Sequence, residues 1–373
     1  MKPLRIAHTE SSCGWGGQEI RILTEADGMI RRGHTVTLVC PEEAPISAAA
    51  RQRGIPVVNL PIARKSWRGL FALWNWLRRE GRHLSVINTH SSTDSWLTAL
   101  AALGIPGAPP LVRTRHVSSP ISNNGPTRWL YQHACKHVVT TGEALRAQLN
   151  RDNRFALASM TSVPTGISLN WFSPADRTAT RAALGLAERP TLGILGTLRN
   201  WKGHAYLLRA FAALHGQHPD WQLLIIGDGP QRHNLEKLIA ELDLAQCVRM
   251  VGNQDNVPQW LNTLDLFTLP SYGDEGVPQS IMQAMACGLP VVATPVGAIA
   301  EAVIDGETGL LIPPRDSHSL AHGLERFMND KALRERFGAA GLVRAQERFG
   351  TDIMLDKMET VFERCARPLK GLA

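Results

Sequence analysis

The chain has 373 residues, of which 44% are hydrophobic and 20% charged, and its formal net charge is +7. This length exceeds one comfortable core and predicts two domains, while the balanced composition excludes wholesale disorder. Six scattered cysteines without a CxxC pair argue against a zinc site or disulfide scaffold, and the absence of a signal peptide or a ~20-residue apolar run predicts a cytoplasmic protein.

The first half of the chain alternates short apolar strands with helices. Helices are predicted over residues 18–32 and 67–80, and strands over residues 5–8, 34–40, 57–60, 85–89, 111–114 and 138–141. Short apolar strands separated by helices indicate a parallel sheet that helices cover on both faces.

The second half repeats this alternation. Helices are predicted over residues 203–214 and 231–242, and strands over residues 191–195, 222–226, 266–269 and 291–293. Prolines and glycines between Pro164 and Pro190 mark the boundary, which we place between residues 1–168 and 169–350. The pattern predicts an α/β protein of two facing Rossmann-like doubly wound domains with a cleft between them, because such sheets bind ligands beyond the carboxyl ends of their strands.

Two glycine-bearing turns follow predicted strands and open helices, where backbone amides and the helix dipole favour a phosphate. Residues 14–17 (GWGG) are not the dinucleotide fingerprint, because Glu19 stands at the third glycine, and a tight structural turn explains them as well as a ligand loop. Residues 193–203 place Arg199 and Lys202 in the turn, which suits a diphosphate better than a solvated surface turn.

The most informative segment covers residues 271–297. Pro278 suits the first turn of a helix that would run to about Cys287 and stop at Gly288. Glu275 then precedes the helix and Gln283 lies about two turns in, so a carboxylate, free amides and a side-chain amide can line one ligand. Carboxylates and amides suit sugar hydroxyls, and helix amides suit phosphate oxygens.

This segment resembles the retaining glycosyltransferases of family 4, which have the two-domain GT-B fold. Glu275 matches the family's first glutamate, residues 284–292 (AMACGLPVV) match its A-M-A-x-G-x-P-V-V run, and Gly297 and residues 305–311 (DGETGLL) match as well. The likeness covers nearly the whole chain and is strongest from residue 193 to residue 313. It implies a nucleotide-sugar dependent enzyme whose C-terminal segment, residues 351–373, packs back on the N-terminal domain.

The resemblance also implies roles for single residues. Glu275 resembles the carboxylate that holds hydroxyls of the donor sugar, and Lys202 the lysine that binds its phosphates. His116 resembles a histidine near the donor's reacting end, and a satisfied polar residue at a strand end is the less favoured alternative. The other implied donor contacts lie in three places: the glycine loop (residues 14–17), the phosphate turn (residues 193–203) and the start of the helix after Glu275. They are Gly16, Gly17, Gly196, Gly276, Val277, Pro278 and Gln279.

Two positions depart from the family pattern. Thr197 stands where relatives have arginine, and we expect Arg199, two places later, to substitute for it. Gln283 replaces the second glutamate, whose carboxylate in relatives commonly accepts hydrogen bonds from ribose hydroxyls. An amide can accept but carries no charge, so the nucleotide contact is expected to be weakened or redirected.

We expect no cofactor and no metal ion, because the sequence has no Asp-x-Asp motif or histidine cluster to hold one. Lys202, Arg199 and the helix amides would instead stabilise the charge that develops on the departing nucleoside diphosphate. The resemblance implies that the acceptor attacks the face that the nucleotide leaves, which requires no protein nucleophile.

The acceptor is indicated only by charge and one helix. Residues 1–175 carry 20 Lys/Arg and 10 Asp/Glu, a net +10, whereas residues 176–373 carry 20 and 23, a net −3. Residues 65–82 combine three tryptophans with five cations, and helical spacing places Trp67, Leu70, Phe71, Trp74 and Leu77 on one face. Such a helix can lie in a membrane interface or bury its aromatic side chains in its own domain.

A basic half fits an anionic membrane surface or a phosphorylated acceptor, and solubility alone also explains it. Because no nucleic-acid motif accompanies the charge, we expect no nucleic-acid partner. The predicted function is transfer of a hexose-type sugar from a nucleoside diphosphate sugar to a glycan or lipid-linked acceptor, in lipopolysaccharide or surface polysaccharide synthesis at the inner face of the plasma membrane. A catalytically degenerate donor-binding protein and a sugar-nucleotide epimerase of the same fold stay open as alternatives.

Overall fold

The computed structural model describes residues 2–117, 119–273 and 275–367. It divides into two compact units, of which unit 1 comprises Met1–Gly166 and Thr351–Ala373 and unit 2 comprises Ile167–Gly350. Asp274, in the segment predicted to bind the donor (residues 271–297, the donor segment), lies outside the described residues. So do residues 368–373 of the predicted C-terminal segment.

Unit 1 begins with alternating strands and helices. In chain order these are β1 (Arg5–Thr9), α1 (Gly17–Arg31), β2 (Thr35–Cys40), α2 (Pro45–Gln52), β3 (Val57–Asn59), α3 (Trp67–Glu80), β4 (Val86–Thr89), α4 (Ser92–Leu103), β5 (Leu111–Arg115), α5 (Gly125–Trp129), β6 (Cys135–Thr140), α6 (Glu143–Asn153) and β7 (Met160–Ser162). The strands form one sheet in the order β3-β2-β1-β4-β5-β6-β7, and every pair is parallel.

Unit 2 repeats the scheme, and a last helix returns to unit 1. The elements are α7 (Arg177–Ala183), β8 (Thr191–Leu195), α8 (His204–His215), β9 (Gln222–Ile226), α9 (Arg232–Glu241), β10 (Val248–Gly252), α10 (Val257–Leu261), β11 (Leu266–Leu269), α11 (Gln279–Ala286), β12 (Val291–Ala293), α12 (Ile299–Ala302), β13 (Gly309–Leu311), α13 (Ser317–Asn329), α14 (Lys331–Arg348) and α15 (Thr351–Cys365). The sheet order is β10-β9-β8-β11-β12-β13, again with parallel pairs.

Both sheets are buried on two faces, as their sequences predict. The central strands β4, β5 and β11 are buried at every residue, because helices cover both sides and leave no polar face to alternate. Each unit is therefore a doubly wound α/β domain, and this part of the fold prediction is confirmed.

Three strands, β7, β10 and β13, were not predicted from the sequence, and each is an edge strand of its sheet. β7 and β13 have only three residues, and β10 exposes Arg249, so none shows the apolar run that marks an interior strand. The helix after Glu275 also begins one residue later than predicted. Pro278 is its N-cap residue, with extended backbone, rather than its first helical residue.

The helix α15 completes the core of unit 1. Met354, Leu355, Met358 and Phe362 are buried in the same apolar cluster as α1 and β2. Glu359 fixes the helix by an ion pair with Arg32 and a hydrogen bond with His34 Nε2, both at 2.9 Å, and these two partners follow α1. The C-terminal segment thus belongs to the fold of unit 1 although 184 residues of unit 2 (167 to 350) precede it.

The side chains predicted to form one apolar face within residues 67–82 are partly buried and partly exposed in the structure. Gly69, Leu73 and Leu77 are buried, whereas Trp67 and Phe71 are 85% and 66% exposed. The alternative in which α3 buries all its aromatic side chains is therefore wrong for these two. Among the described residues, no helix combines the length and apolar character needed to cross a bilayer.

Two glycines of α14 offer a paired test of its packing. A Cβ at Gly338 would lie 2.2 Å from the backbone oxygen of Gly288, whereas a Cβ at Gly341 would meet its neighbours at 3.6 Å or more. We expect Gly338→Ala to lower the free energy of unfolding by about 1–3 kcal/mol, because the Gly288 backbone cannot yield as a side chain can. Gly341→Ala should be neutral or stabilising by up to about 1 kcal/mol, because alanine favours a helix interior.

Urea unfolding followed by circular dichroism measures both variants. Equal unfolding curves for the two alanines would contradict the packing of α14 described above.

Candidate active site

The strand order of unit 2 reverses between β8 and β11. The loops that follow these two neighbouring strands therefore leave in opposite directions and expose the carboxyl edge of the sheet. Residues 196–203 follow β8 and residues 270–278 follow β11, so the phosphate turn and the donor segment predicted from the sequence meet at this edge.

An ion pair joins the two loops. Lys202 Nζ lies 2.7 Å from Glu275 Oε1, and the same oxygen accepts a hydrogen bond of 2.8 Å from Ser271 Oγ. Both charged side chains are largely buried, at 19% and 11% exposure. The structure thus brings together two of the predicted catalytic residues, which lie 73 positions apart, and adds Ser271, whose role the sequence pattern did not signal.

Glycine is required at two positions that frame this pair. Gly203 has φ +80°, and a Cβ there would lie 2.0 Å from the Pro270 carbonyl oxygen. Gly297 has φ +57°, and a Cβ there would lie 2.0 Å from the Glu275 carbonyl oxygen. Any other residue would push one loop off the other, so both glycines set the position of the Lys202–Glu275 pair.

The rest of the phosphate turn is open to solvent. Thr197 and Arg199 are exposed and Gly196 is half-buried. The Arg199 guanidinium lies over the Trp201 ring, 5.2 Å from its centroid, rather than in the Lys202–Glu275 pair. Its substitution for the arginine that Thr197 replaces stays a prediction.

The turn after β9 packs against the backbone of the phosphate turn. A Cβ at Gly227 would lie 2.2 Å from the Gly196 carbonyl oxygen, and the Leu198 amide donates to the Asp228 carbonyl oxygen at 3.1 Å. The turn at residues 227–230 therefore holds the backbone that carries Arg199 and Lys202.

The helix α11 starts directly behind Glu275. Val277 and Pro278 are buried, whereas Gly276, Gln279 and Gln283 keep partial exposure. Gln279 is the first helical residue, so its amide lies in the first turn of α11, at the N-terminus of the helix. Gln283 follows one turn later, on the same face within the spacing at which helical neighbours meet.

In unit 1, Gly16 and Gly17 open α1, the first helix after β1. Gly16 is extended, with φ −179°, and a Cβ there would meet only Glu19 Oε2, at 3.8 Å. Neither the backbone conformation nor the packing among the described residues therefore requires glycine at this position.

His116 is the end of a chain of three histidines that crosses the sheet of unit 1. His8 Nδ1 lies 2.9 Å from His90 Nε2, and His90 Nδ1 lies 2.9 Å from His116 Nε2. Burial, followed by Arg21, lowers the pKa of His8 to about 3, and burial lowers the pKa values of His90 and His116 well below the usual range. All three rings are therefore neutral near pH 7, and each can donate one hydrogen bond and accept another.

Buried carboxyl groups lie near the three histidines. Burial raises the pKa of Glu25, which lies 3.9 Å from His8 Nε2, to about 7. Burial likewise raises the pKa of Glu10 to about 7 and that of Asp94 to about 6. The sequence pattern singled out none of these residues except His116, since burial of a polar side chain cannot be seen in a single sequence.

The chemical inventory of the described residues is otherwise limited. No group of three or more His, Cys, Asp or Glu side chains in residues 2–117, 119–273 and 275–367 is arranged to hold a metal ion. All six cysteines are free thiols.

Comparison with known proteins gives a consistent result. Residues 15–171 match the family model described as Glycosyltransferase Family 4, and residues 176–344 match the model described as Glycosyl transferases group 1. The chain belongs to glycosyltransferase family 4. As a glycosyltransferase it has two Rossmann-like domains and the GT-B fold, which confirms the predicted family and fold class.

Relatives of similar length support this membership. A lipopolysaccharide core biosynthesis mannosyltransferase of Rhizobium meliloti is 29% identical over 90% of this chain and 95% of its own. A phosphatidyl-myo-inositol mannosyltransferase of Mycobacterium leprae is 28% identical over 94% of each chain.

Solved structures share the fold at low identity. A glycosyltransferase of Rickettsia africae superimposes with a TM-score of 0.89 at 18% identity, covering 98% of this glycosyltransferase and 99% of its own chain. The Anabaena HepE protein in complex with UDP gives 0.86 at 21% identity, with 97% and 100% covered.

The histidine chain generates a prediction about acid stability. The pKa of His8 is lower in the folded protein than the ordinary value of 6.5, so its contribution to stability is present above pH 6.5 and is lost as the pH falls toward about 3. In His8→Asn, the free energy of unfolding should fall less steeply with acid than in the wild type, by about 1.4 kcal/mol per pH unit below pH 6.

Urea unfolding at pH 7, 6, 5.5 and 5 measures this difference, and the raised pKa values of Glu10 and Glu25 act in both proteins. His83→Asn, at an exposed histidine of the same unit, serves as control and should follow the wild type. A His8→Asn curve parallel to the wild type would argue against a neutral buried His8.

Proposed function

We propose that this glycosyltransferase retains anomeric configuration and moves a hexose-type sugar from a nucleoside diphosphate sugar to a glycan or lipid-linked acceptor, in lipopolysaccharide or surface polysaccharide synthesis. The observation that carries the donor half of the proposal is the 2.7 Å pair of Lys202 and Glu275 beside the start of α11. A cation, a carboxylate and helix amides at one sheet edge match the diphosphate and hydroxyls of such a donor.

The paired state explains how the site waits for its substrate. Glu275 neutralises Lys202 and holds it at the carboxyl ends of β8 and β11. When a donor binds, its phosphates replace Glu275 as the partner of Lys202, and its sugar hydroxyls donate hydrogen bonds to the Glu275 carboxylate. Lys202, with Arg199 and the α11 amides, then stabilises the negative charge that grows on the departing nucleotide.

The unit 1 residues of the proposal are Gly16, Gly17 and His116. Because no contact among the described residues requires glycine at residue 16, the position leaves room for close approach of a phosphate. His116 is neutral through the lowered pKa that burial causes, so it can exchange hydrogen bonds with sugar hydroxyls without adding a charge.

Similar proteins support a nucleotide-sugar donor and a surface-glycan acceptor. HepE is solved in complex with UDP-glucose as well as with UDP. The Rhizobium relative is named for lipopolysaccharide core synthesis, and the Mycobacterium relative for mannosyl transfer to phosphatidyl-myo-inositol. Gln283 and Thr197 favour the alternative of a degenerate protein that binds the donor without turnover, and the donor assay separates the two.

The donor test uses a panel of UDP-, GDP- and ADP-sugars with the full chain, scored by binding, by slow donor hydrolysis and by transfer to lipopolysaccharide-type glycans. We expect Lys202→Ala to lower turnover of the preferred donor by about 10²-fold or more, because it removes one stabilising donor from the transition state. Lys237→Ala, at an exposed lysine of α9, is the matched control and should retain full activity.

Full activity of Lys202→Ala would overturn the phosphate role. Donor binding without any turnover would favour the degenerate protein, and interconversion of free nucleotide sugars would favour an epimerase. We further propose that transfer needs no metal ion, so the same assays in EDTA should give unchanged rates.

The proposal includes attachment to an anionic membrane surface at the inner face of the plasma membrane. Trp67 and Phe71 are exposed one helical turn apart on α3, beside the exposed cations Arg64, Lys65 and Arg68. Exposed aromatic side chains among cations are the composition of interfacial helices.

Liposome flotation at low salt tests this attachment. The full chain should float with anionic but not with neutral liposomes, and the double variant Trp67→Ala, Phe71→Ala should bind about tenfold more weakly or worse, because two apolar side chains are lost. Trp171→Ala, at an exposed tryptophan of unit 2, is the control and should float like the wild type. Absence of flotation by the wild type would exclude direct lipid attachment.

A further inference from the structure

Unit 1 contains a cavity of about 520 Å³, and the donor proposal uses only His116 of its lining. It opens at the carboxyl ends of β4 and β5, where parallel sheets bind ligands. Its volume falls within the range of small-molecule sites, about 300–1,000 Å³. The side chains that line it and matter here are His90, Trp96, Arg113, Arg115, His116 and Tyr131.

Arg115 is the unusual residue of this cavity. It is only 5% exposed, yet no described carboxylate lies within ion-pair distance of it. Its guanidinium donates to Tyr131 Oη at 3.2 Å and to the Ser119 carbonyl oxygen, while Nε has no acceptor among the described residues. A guanidinium carries five N–H donors, so most of those on Arg115 have no acceptor among the residues that the structure describes.

Arg113 adds a second buried cation on the same strand. It is 3% exposed and donates to the Ser91 carbonyl oxygen at 3.1 Å and to Ser95 Oγ, and its Nε also lacks an acceptor among the described residues. Asp94 is the carboxyl group that acts electrostatically on Arg113.

Asp94 is itself occupied, so it compensates Arg113 only in part. It accepts hydrogen bonds from Thr9 Oγ1 at 2.8 Å, from Ser11 Oγ at 3.1 Å and from the backbone amides of His90 and Ser91. Burial of a cation without a paired anion is unfavourable, which leaves two guanidinium groups whose charge an incoming anion would balance.

The remaining lining suits a sugar. Burial keeps His90 and His116 neutral by lowering their pKa values, so these rings exchange hydrogen bonds without competing for an anion. Trp96, half-buried at the cavity wall, offers an apolar ring, and Lys65 Nζ lies 5.7 Å from the centroid of that ring. One cavity thus combines cations, neutral hydrogen-bonding groups and an aromatic surface.

We propose that this cavity binds an anionic group of the acceptor glycan, a phosphate or a carboxylate, with Arg115 as its principal ligand and Arg113 as the second. The inference rests on the proposed glycosyl transfer, since it assigns the anion to the acceptor rather than to the donor. It goes beyond that function by specifying a negatively charged acceptor sugar and the residues that select it.

Calorimetric titration of the full chain at constant ionic strength tests the proposal without a known acceptor. The probes are glucose 6-phosphate, glucuronate, inorganic phosphate and glucose. We expect at least one anionic sugar to bind about tenfold or more tightly than glucose and than inorganic phosphate, because a charge-assisted forked contact is added to the sugar contacts. Equal affinity for glucose, or for phosphate alone, would overturn the proposed recognition of a charged sugar.

Variants locate the binding site. Arg115→Gln should weaken binding of the anionic sugar by about tenfold or more, and Arg115→Lys should fall between it and the wild type, because lysine keeps the charge but loses the fork. Arg128→Gln, at an exposed arginine of α5 outside the cavity, should bind like the wild type. If Arg115→Gln does not fold, Arg115→Lys alone still tests the geometry, and wild-type affinity in it would count against the proposal.

Lys202→Ala separates this inference from the donor proposal. It should leave binding of the anionic sugar unchanged, and loss of that binding in Lys202→Ala would move the anion to unit 2 and overturn the inference. Failure of every nucleotide sugar to bind the wild type would instead contradict the donor proposal while leaving the titration with charged sugars valid.

Discussion

Reversal of strand order within an all-parallel sheet is the constraint on which the chemistry of both units depends. Where the loops after two neighbouring strands diverge, no helix covers the carboxyl ends of those strands and a crevice is left. Side chains of the loops that follow the strands occupy this crevice. In unit 2 the strands are β8 and β11, and the filling is the Lys202–Glu275 pair. In unit 1 they are β1 and β4, and Glu10 and Asp94 fill the edge, bonded to serine and threonine hydroxyls.

The two candidate sites handle buried charge in opposite ways. Unit 2 pairs a cation with a carboxylate at its sheet edge, so that a ligand exchanges one set of partners for another. The site in unit 1 buries carboxyl groups of raised pKa and two arginines, Arg113 and Arg115, that have no ion pair among the described residues, beside neutral histidines. The first arrangement resembles a closed pair that opens on binding, and the second an excess of positive potential that attracts a ligand.

The interior of the fold was readable from the sequence, whereas its edges and contacts were not. Strands such as β9 (QLLII) are buried on both faces and therefore appear as uninterrupted apolar runs. The edge strands β7 and β13 have three residues each and carry no such signal. The short spacing from Glu275 to Gln283 placed both at α11, because one helix start fixes their geometry.

Tertiary partners lay beyond that reading. Lys202 and Glu275 are 73 positions apart, and no local pattern encodes their meeting, which depends on Gly203 and Gly297 fitting against opposite backbones. Arg115 shows the complementary difficulty. In a single sequence an arginine at a strand end looks like a solvated charge, and only the packing of Tyr131 and its neighbours reveals its burial.

The position of α15 in the core of unit 1 imposes an order on folding during synthesis. Residues 2–166 emerge from the ribosome first but lack Met358, Phe362 and their neighbours, which seal the apolar cluster beside α1. Unit 2 is continuous in sequence and has all its core residues once residue 350 has emerged. The half of the enzyme that is translated first is therefore completed last, and its unsealed helix face is the surface that a nascent-chain chaperone would have to cover.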